Sequence, residues 1–440
     1  MELLAAIEKA GIVGAGGAGF PTHVKLNASA DTVIINGAEC EPLLRVDRQL
    51  METDAEKLLA ALELMVSQVG AKRGIIALKH HYHGAVQALE GKLYAHPRLS
   101  VHKMESFYPA GDEQVLVLDV TGRIVPEGGI PIEVGVLVSN VETALNLYDA
   151  VYSGTPVTEK YVTVAGAVNS PKTLRVPIGL SLEALIHTAG GAAAQDFEVI
   201  NGGPMMGRIV SVKSTVTKTT KGIIIVPKGH SLLASLNKPL DRIVKDAAVS
   251  CMQCSFCTEV CPRANLNHRL APNKIMRLAG YNSLCDESYS PMNAYLCSSC
   301  RLCEYACIMG LQPWKLNGHI KGILGKNRVK NTLHNKPDSA NPFNELKRYP
   351  TSKLIRQLDL EQYDVDAPIE DIIINAEKVI LPLGQNVGAV SAAVVKVGDM
   401  VKKGQLIAKI PEGALGANLH ASIDGIVTEL DDRQITISKL

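Results

Sequence analysis

The sequence predicts a multidomain chain of mixed α/β and α+β class, and three observations carry that reading. Strand-like apolar runs alternate with helical patterns over roughly residues 1–150. From Tyr161 the texture changes to strands and turns with one short helix. Two cysteine runs in mostly helical sequence then precede a C-terminal stretch of short strands. A length of 440 residues suits three or four separately cored domains better than one.

In the first region, Leu3, Leu4, Ile7 and Ala10 stand at helical spacing before a glycine-rich run from Gly11 to Gly19. Asp31–Asn36 reads as a strand, Glu52–Val69 as a helix, Gly74–Leu78 as a strand and His83–Tyr94 as a helix. Val115–Val120 fits either a short strand or a helix segment. This is the alternation of an α/β domain, taken here as 1–155. Residues 156–230, with strands across YVTVAGAVNSPKTLRVPIG, a helix over Leu182–Thr188 and a turn at Gly202-Gly203-Pro204, fit a small β-grasp-like α+β domain. The cysteines fall in 231–325. The polar tract that follows, rich in Asn, Lys and Pro, reads as a linker over 326–375. Strands at Val394–Val397, Leu406–Ile410 and Gly425–Leu430, separated by glycine turns, make 376–440 a small β-sandwich.

Charge excludes some partners. Lys+Arg 45 against Asp+Glu 44 leaves a formal charge of +1 with no basic block, which disfavours nucleic acid and anionic membrane surfaces. No stretch approaches the roughly 18–20 apolar residues of a spanning helix, and Glu2 and Glu8 stand where a signal peptide is basic, so membrane insertion is not expected and a cytoplasmic location is. With aromatics at 4%, the cores must be mainly aliphatic.

Eight of the ten cysteines form two runs of identical spacing. Cys251, Cys254, Cys257 and Cys261 stand as C-x2-C-x2-C-x3-C before Pro262, and Cys297, Cys300, Cys303 and Cys307 repeat the spacing 46 residues on. Cysteines at steps of three let one tight loop wrap a cubane corner by corner. All-cysteine zinc sites instead draw C-x2-C pairs from separated segments. The pattern resembles the bacterial two-cluster 4Fe-4S ferredoxins, in which the fourth cysteine of each run ligates the other cluster. That resemblance assigns Cys251, Cys254, Cys257 and Cys307 to cluster one, and Cys297, Cys300, Cys303 and Cys261 to cluster two. Cys40 and Cys285 lie outside both runs and read as reduced, buried thiols.

Gly14-Ala15-Gly16-Gly17-Ala18-Gly19 matches the letters of a dinucleotide fingerprint, but a helix precedes it and Phe20-Pro21-Thr22 follows, so the strand-turn-helix context is missing. Its glycines still permit close backbone approach to a phosphate or a flat ring, and Lys25 adds a compact positive charge. The run GAGGAGFPTHVK, then NGAECEP at Asn36–Pro42, YPAGDE at Tyr108–Glu113 and NVET at Asn140–Thr143 together resemble the FMN and NADH site of the respiratory complex I flavoprotein subunit and its Rnf-complex relatives. The resemblance implies that Gly14, Gly16, Lys25, Asn36, Glu39 and Asn140 line FMN, and that Gly17, Phe20, Glu41, Tyr108 and Glu113 face NADH. Asp112 stands where that flavoprotein has glutamate, and Cys40 where it has serine. The arrangement suits a flavin, which takes two electrons as hydride and releases them singly.

GAVNSP and NGGPMMG resemble the soluble-ligand-binding β-grasp (SLBB) domain of the same relatives; Met205 and Met206 read as core. KVGDMVKKGQLIAKI resembles the lipoyl-type barrel-sandwich fold, but no lysine lies between Ile410 and Ser438 to serve as a carrier, so a structural or interaction role is expected. Lys79-His80-His81-Tyr82-His83 reads as a polar loop. The barrel-sandwich follows the flavin domain here, whereas the Rnf-complex relative begins with it. This order resembles the cobalamin reductases of propanediol-utilisation microcompartments. The family implies NADH oxidation at FMN, passage through two clusters and reduction of cob(III)alamin and cob(II)alamin, with a corrinoid substrate, a cobalamin adenosyltransferase and microcompartment shell proteins as partners. No shell-targeting helix is evident at the N-terminus, so encapsulation would rest on partners. A subunit of a membrane electron-transport complex and a non-catalytic electron conduit of a microcompartment are the alternatives.

Overall fold

Four β-branched runs, β1 (Thr32–Gly37), β2 (Arg73–Lys79), β3 (Leu99–Met104) and, after the two-residue β4 (Phe107–Tyr108), β5 (Val136–Asn140), build the first sheet of the computed structural model. The structure describes residues 2–281, 290–372 and 374–440; Cys285 lies outside them. The sheet is parallel, in the order β3-β2-β1-β5. Ile34, Ile35, Ile76 and Val138 along these strands are fully buried or nearly so, as parallel sheets covered by helices require. The expected helix Glu52–Val69 starts earlier and is broken: Val46–Thr53 and Ala55–Gln68 meet at Asp54, which leaves the helical region at φ −115°. The Thr53 hydroxyl donates to the Asp54 carboxylate at 2.9 Å, the local competition with helix expected of these residue types. Val115–Val120 resolves as helix, Glu113–Thr121, because the Asp112 carboxylate caps the amides of Gln114 and Val115.

The second sheet is formed by β6 (Glu159–Gly166), β7 (Lys172–Pro177), β8 (Phe197–Asn201), β9 (Arg208–Val210) and β10 (Gly222–Pro227), with the helix Leu182–Thr188. Helices Leu240–Ser250, Pro272–Tyr281 and Pro313–Lys326 enclose the cysteine loops. The stretch read as a linker carries elements of its own. β11 (Tyr349–Pro350) pairs with β4, the helix Thr351–Gln357 buries Leu354 and Ile355, and β12 (Ile369–Glu370) adds to β7 at the edge of the second sheet. Polar composition marked this segment as surface, but its few apolar residues complete a core with Leu43, Tyr108, Met205 and Cys300 from three other parts of the chain.

The C-terminal strands form two facing sheets, one of Lys378–Pro382, Gln434–Ser438, Gly425–Leu430 and Met400–Val401, the other of Ala392–Ala393, Leu406–Lys409 and Leu419–His420. The strand expected at Val394–Val397 lies at Ala392–Ala393 instead. Val394 N–H still donates to Ile407 O at 2.9 Å, but Lys396 and Asp399 close a turn on each other, with Gly398 at φ +93°, and end the strand. This domain holds the glycine loop: Val387 N–H donates to Gly19 O at 3.2 Å, and the buried Lys218 ammonium donates to Gly11 O and Asn418 O at 2.7 and 2.6 Å.

Candidate functional site

The strand order reverses between β1 and β5, and open parallel sheets bind ligands outside the carboxyl ends of the strands at such a point. Asn36 and Asn140 are register partners at those two carboxyl ends. The loop Gly14–Gly19 folds over them. A Cβ at Gly16 would lie 2.8 Å from Asn140 Nδ2, so only glycine lets the backbone come this close, while a Cβ at Gly17 would meet nothing within 4 Å. Ala15 N–H donates to Thr143 Oγ1 at 2.9 Å and fixes the loop on the helix Val141–Tyr152. The result is a glycine backbone facing open space beside a helix N-terminus, a cradle that fits a phosphate-bearing flat cofactor.

Asn36 donates to Gly111 O at 2.8 Å. Asn140 accepts from Glu142 N–H and donates to Asp47 Oδ2 at 2.9 Å. Glu39, at φ +35°, turns its carboxylate to the helix Val46–Thr53, accepting from Asp47 N–H at 2.8 Å and Arg48 N–H at 3.2 Å. Burial and then the Asp47 charge raise its pKa. Lys221, from the edge of β10, reaches back into the first domain and pairs with Asp47. Burial works against its charge, but Asp47, Glu142 and Glu39 outweigh it and raise its pKa. The carboxyl-end network therefore depends on a lysine of the second domain that sequence reasoning missed. Buried Lys79, at the end of β2, was also seen only as part of a polar loop; its ammonium lies 3.4 Å from Glu39 O.

The residues expected on the dinucleotide side separate into two groups. Gly17 faces open space, Phe20 is 37% exposed, and Glu113 is exposed and paired with Lys25 at 3.1 Å. Tyr108 does not face a ligand space: it is 1% exposed and donates to Cys300 O at 3.0 Å. The Glu41 carboxylate accepts from Met205 N–H and Met206 N–H, both at 2.9 Å, and so docks the second domain on the first. Their motif residues serve domain contacts, a role that residue type alone does not reveal. Met205 is buried as expected of core, but Met206 is 56% exposed because its amide, not its side chain, makes the contact.

The two cysteine runs repeat in backbone conformation as well as spacing. Gln253 and Ser255 in the first, and Ser299 and Arg301 in the second, all have φ between +54° and +66°. Such left-handed residues alternating with right-handed ones turn successive N–H groups toward a common centre and form an anion-binding nest. Cys251, Cys254, Cys257 and Cys307 line one cleft. Cys261 packs with Cys297, and Cys300 and Cys303 are buried beside them. Burial, with neighbouring sulfurs, pushes the Cys257 thiol to about 12 and the Cys261 thiol to about 11, so these groups need cationic metal to ionise where they stand. Four thiols from two segments around one cleft supply the donor set that a cubane takes.

The cysteine loops meet the switch point directly. Arg263, two residues past Cys261, forms a buried fork with Asp112 at 2.7 and 2.9 Å, and Tyr108 reaches Cys300 O. Gly111, between them and Asn36, would place a Cβ 3.3 Å from Asn36 Oδ1 and 3.2 Å from Cys40 Sγ. Cys40, expected as a buried thiol, is half-buried, and burial lifts it to about 11.

Among the described residues no helix is long and apolar enough to cross a membrane. Four family models match the chain: the Nuo51 FMN-binding domain over residues 7–149, the SLBB domain over 161–209, the 4Fe-4S dicluster domain over 250–312 and the RnfC barrel sandwich hybrid domain over 358–439. The chain thus carries an FMN-binding domain and a 4Fe-4S dicluster domain. It is 39% identical to a component of the Na(+)-translocating ferredoxin:NAD(+) oxidoreductase complex of Acetobacterium woodii, over 58% of this chain and 56% of that one. It is 42% identical to the cobalamin reductase PduS of Citrobacter freundii over 98% of this chain and 95% of that protein, and 41% identical to the PduS of Salmonella typhimurium over 99% and 96%. With identity of 41–42% sustained over 98–99% of its length, the chain belongs to the PduS cobalamin reductase family.

Proposed function

We propose that the protein passes electrons from NADH through FMN and two 4Fe-4S clusters to cob(III)alamin and cob(II)alamin. Gly14, Gly16, Lys25, Asn36, Glu39 and Asn140 hold FMN, and Gly17, Phe20 and Glu113 remain for the dinucleotide. Cys251, Cys254, Cys257 and Cys307 hold cluster one; Cys297, Cys300, Cys303 and Cys261 hold cluster two. Bound flavin and clusters supply the conversion of a hydride pair into single electrons. The protein's own part is placement. Glycine amides and Lys25 present donors and charge to an anionic cofactor, and Glu39 and Asp47, held by Lys221, keep the helix entry rigid beneath it. Asp112, Arg263 and Tyr108 fix the second cysteine loop against the edge of the switch point.

That junction is the observation that carries the reading, because it joins the flavin-binding crevice to a cysteine nest through contacts too short for a separate diffusing carrier. A corrinoid substrate, an adenosyltransferase that consumes cob(I)alamin and microcompartment shell proteins are the proposed partners in the cytoplasm, with the PduS relatives as support. The test is anaerobic turnover of NADH and cob(II)alamin with an adenosyltransferase and ATP as trap. Intact protein should form adenosylcobalamin, and a Cys251→Ser/Cys297→Ser form that keeps FMN should not; equal rates from both would refute the route.

A further inference from the structure

The two cysteine runs give an internal comparison. In the second run Leu302 is 1% exposed, and in the first Phe256 holds the equivalent place at 51%. Pro262 and Arg263, which follow the last cysteine of the first run, are buried, Arg263 against Asp112 of the flavin-binding domain, whereas Ile308 and Met309, which follow the last cysteine of the second, are 63% and 45% exposed. Among the thiols, Cys254 of the first set is exposed and Cys257 buried, whereas three of the second set, Cys261, Cys300 and Cys303, are buried and Cys297 is half-buried. One nest is thus walled in by other domains and the other opens to solvent. Met252, itself 60% exposed, Ile308 and Met309 are apolar side chains that face water and line the cleft of Cys251, Cys254, Cys257 and Cys307.

Patches of this kind mark binding sites. The cleft lining contains no charged side chain; its polar members are the amides Gln253 and Asn273 and the hydroxyl Ser255. Protein redox partners are steered by complementary charge, which is missing among the described residues that line the cleft. An uncharged apolar rim with amide and hydroxyl groups matches a flat macrocycle fringed by carboxamides.

We propose that this rim, Met252, Ile308 and Met309, is the seat of the corrinoid, and that electrons leave the protein at the cysteine set of cluster one. The proposal rests on the function proposed above. One NADH gives NAD+, a proton released to solvent and two electrons; two cob(II)alamin molecules take one electron each and become two cob(I)alamin, with no bond formed to carbon.

The test uses full-length, anaerobically reconstituted protein and cob(II)alamin as probe. Met252→Ser/Ile308→Ser should weaken cob(II)alamin binding in equilibrium dialysis at least tenfold, while iron stays near eight per chain and NADH still bleaches the flavin at the parental rate. Met309→Ser, which leaves Met252 and Ile308, the residues directly beside Cys251 and Cys307, in place, should weaken binding in the same way and guards against simple loss of the cluster. Binding within twofold of the parent in both variants overturns the seat while leaving the reductase reading intact. Unchanged binding and reduction of free cobalamin, with adenosylcobalamin formation lost only when the adenosyltransferase is present, would make the rim a protein-docking face and also overturn it. A parent protein that neither binds nor reduces cob(II)alamin would remove the reductase reading itself.

Discussion

Arg263→Met tests whether the Asp112–Arg263 fork holds the cysteine loops on the flavin-binding domain. Both side chains are nearly buried, at 11% and 12% exposed, and the two bonds are 2.7 and 2.9 Å. Methionine keeps the length and apolar stem of arginine but leaves the carboxylate without its counter-charge. Removing one partner of a buried pair costs about 3–5 kcal/mol. Asp112 keeps two further donors, the Gln114 and Val115 amides at 3.1 and 3.3 Å, at the positive end of a helix, so the lower end of that range applies. About 3 kcal/mol corresponds to a shift of roughly 150-fold in the equilibrium for opening this junction. Hydrogen exchange read by mass spectrometry should therefore accelerate by about two orders of magnitude in peptides covering 106–121 and 262–270. Peptides from the barrel-sandwich should not change. Adding Asp112→Asn, which retains the cap, should recover much of the loss because no bare charge remains. Exchange within threefold of the parent, or no recovery in the double variant, would show that the fork is not what keeps the two sites together.

Cys307→Ser should abolish the spectroscopic signature of cluster one and leave that of cluster two, lowering iron from about eight to about four per chain; loss of the signal held by Cys297, Cys300 and Cys303 would refute the crossed ligation. Lys25→Ala should weaken FMN binding about tenfold in a fluorescence titration, about 1.4 kcal/mol for one phosphate contact, and an unchanged Kd would remove Lys25 from the site. Burial raises the Glu41 carboxyl to about 7 from an ordinary 4.5. The folded state thus favours the protonated form, and this contribution is full below about pH 4.5 and lost as pH rises through 7. Glu41→Gln should flatten the fall in Tm across that window, and a variant retaining the parental slope would contradict the assignment.

The sequence by itself determined what depends on spacing and composition. Eight cysteines at two identical spacings specify cubane loops, because three ligands within one tight turn can be supplied only locally. The glycine run marks a loop whose backbone can come close, and at Gly16 a Cβ would lie 2.8 Å from Asn140 Nδ2. Apolar runs from Thr32 to Asn140 and the change of texture at Tyr161 gave the domain classes for the same reason: periodicity is a local property. The tertiary structure decided what depends on who stands opposite. Tyr108 and Glu41 look like ligand contacts in their motifs, yet one is spent on Cys300 O and the other on the amides of Met205 and Met206. Lys221 looks like an ordinary strand-end lysine, yet it neutralises Asp47 at the switch point from another domain. Residues 326–375 look like a polar linker, yet Tyr349, Leu354 and Ile369 knit into the core and sheets of distant segments. None of these is legible in a single sequence, because a charge or an apolar side chain carries no mark of the partner that neutralises or covers it until the chain has brought the two together.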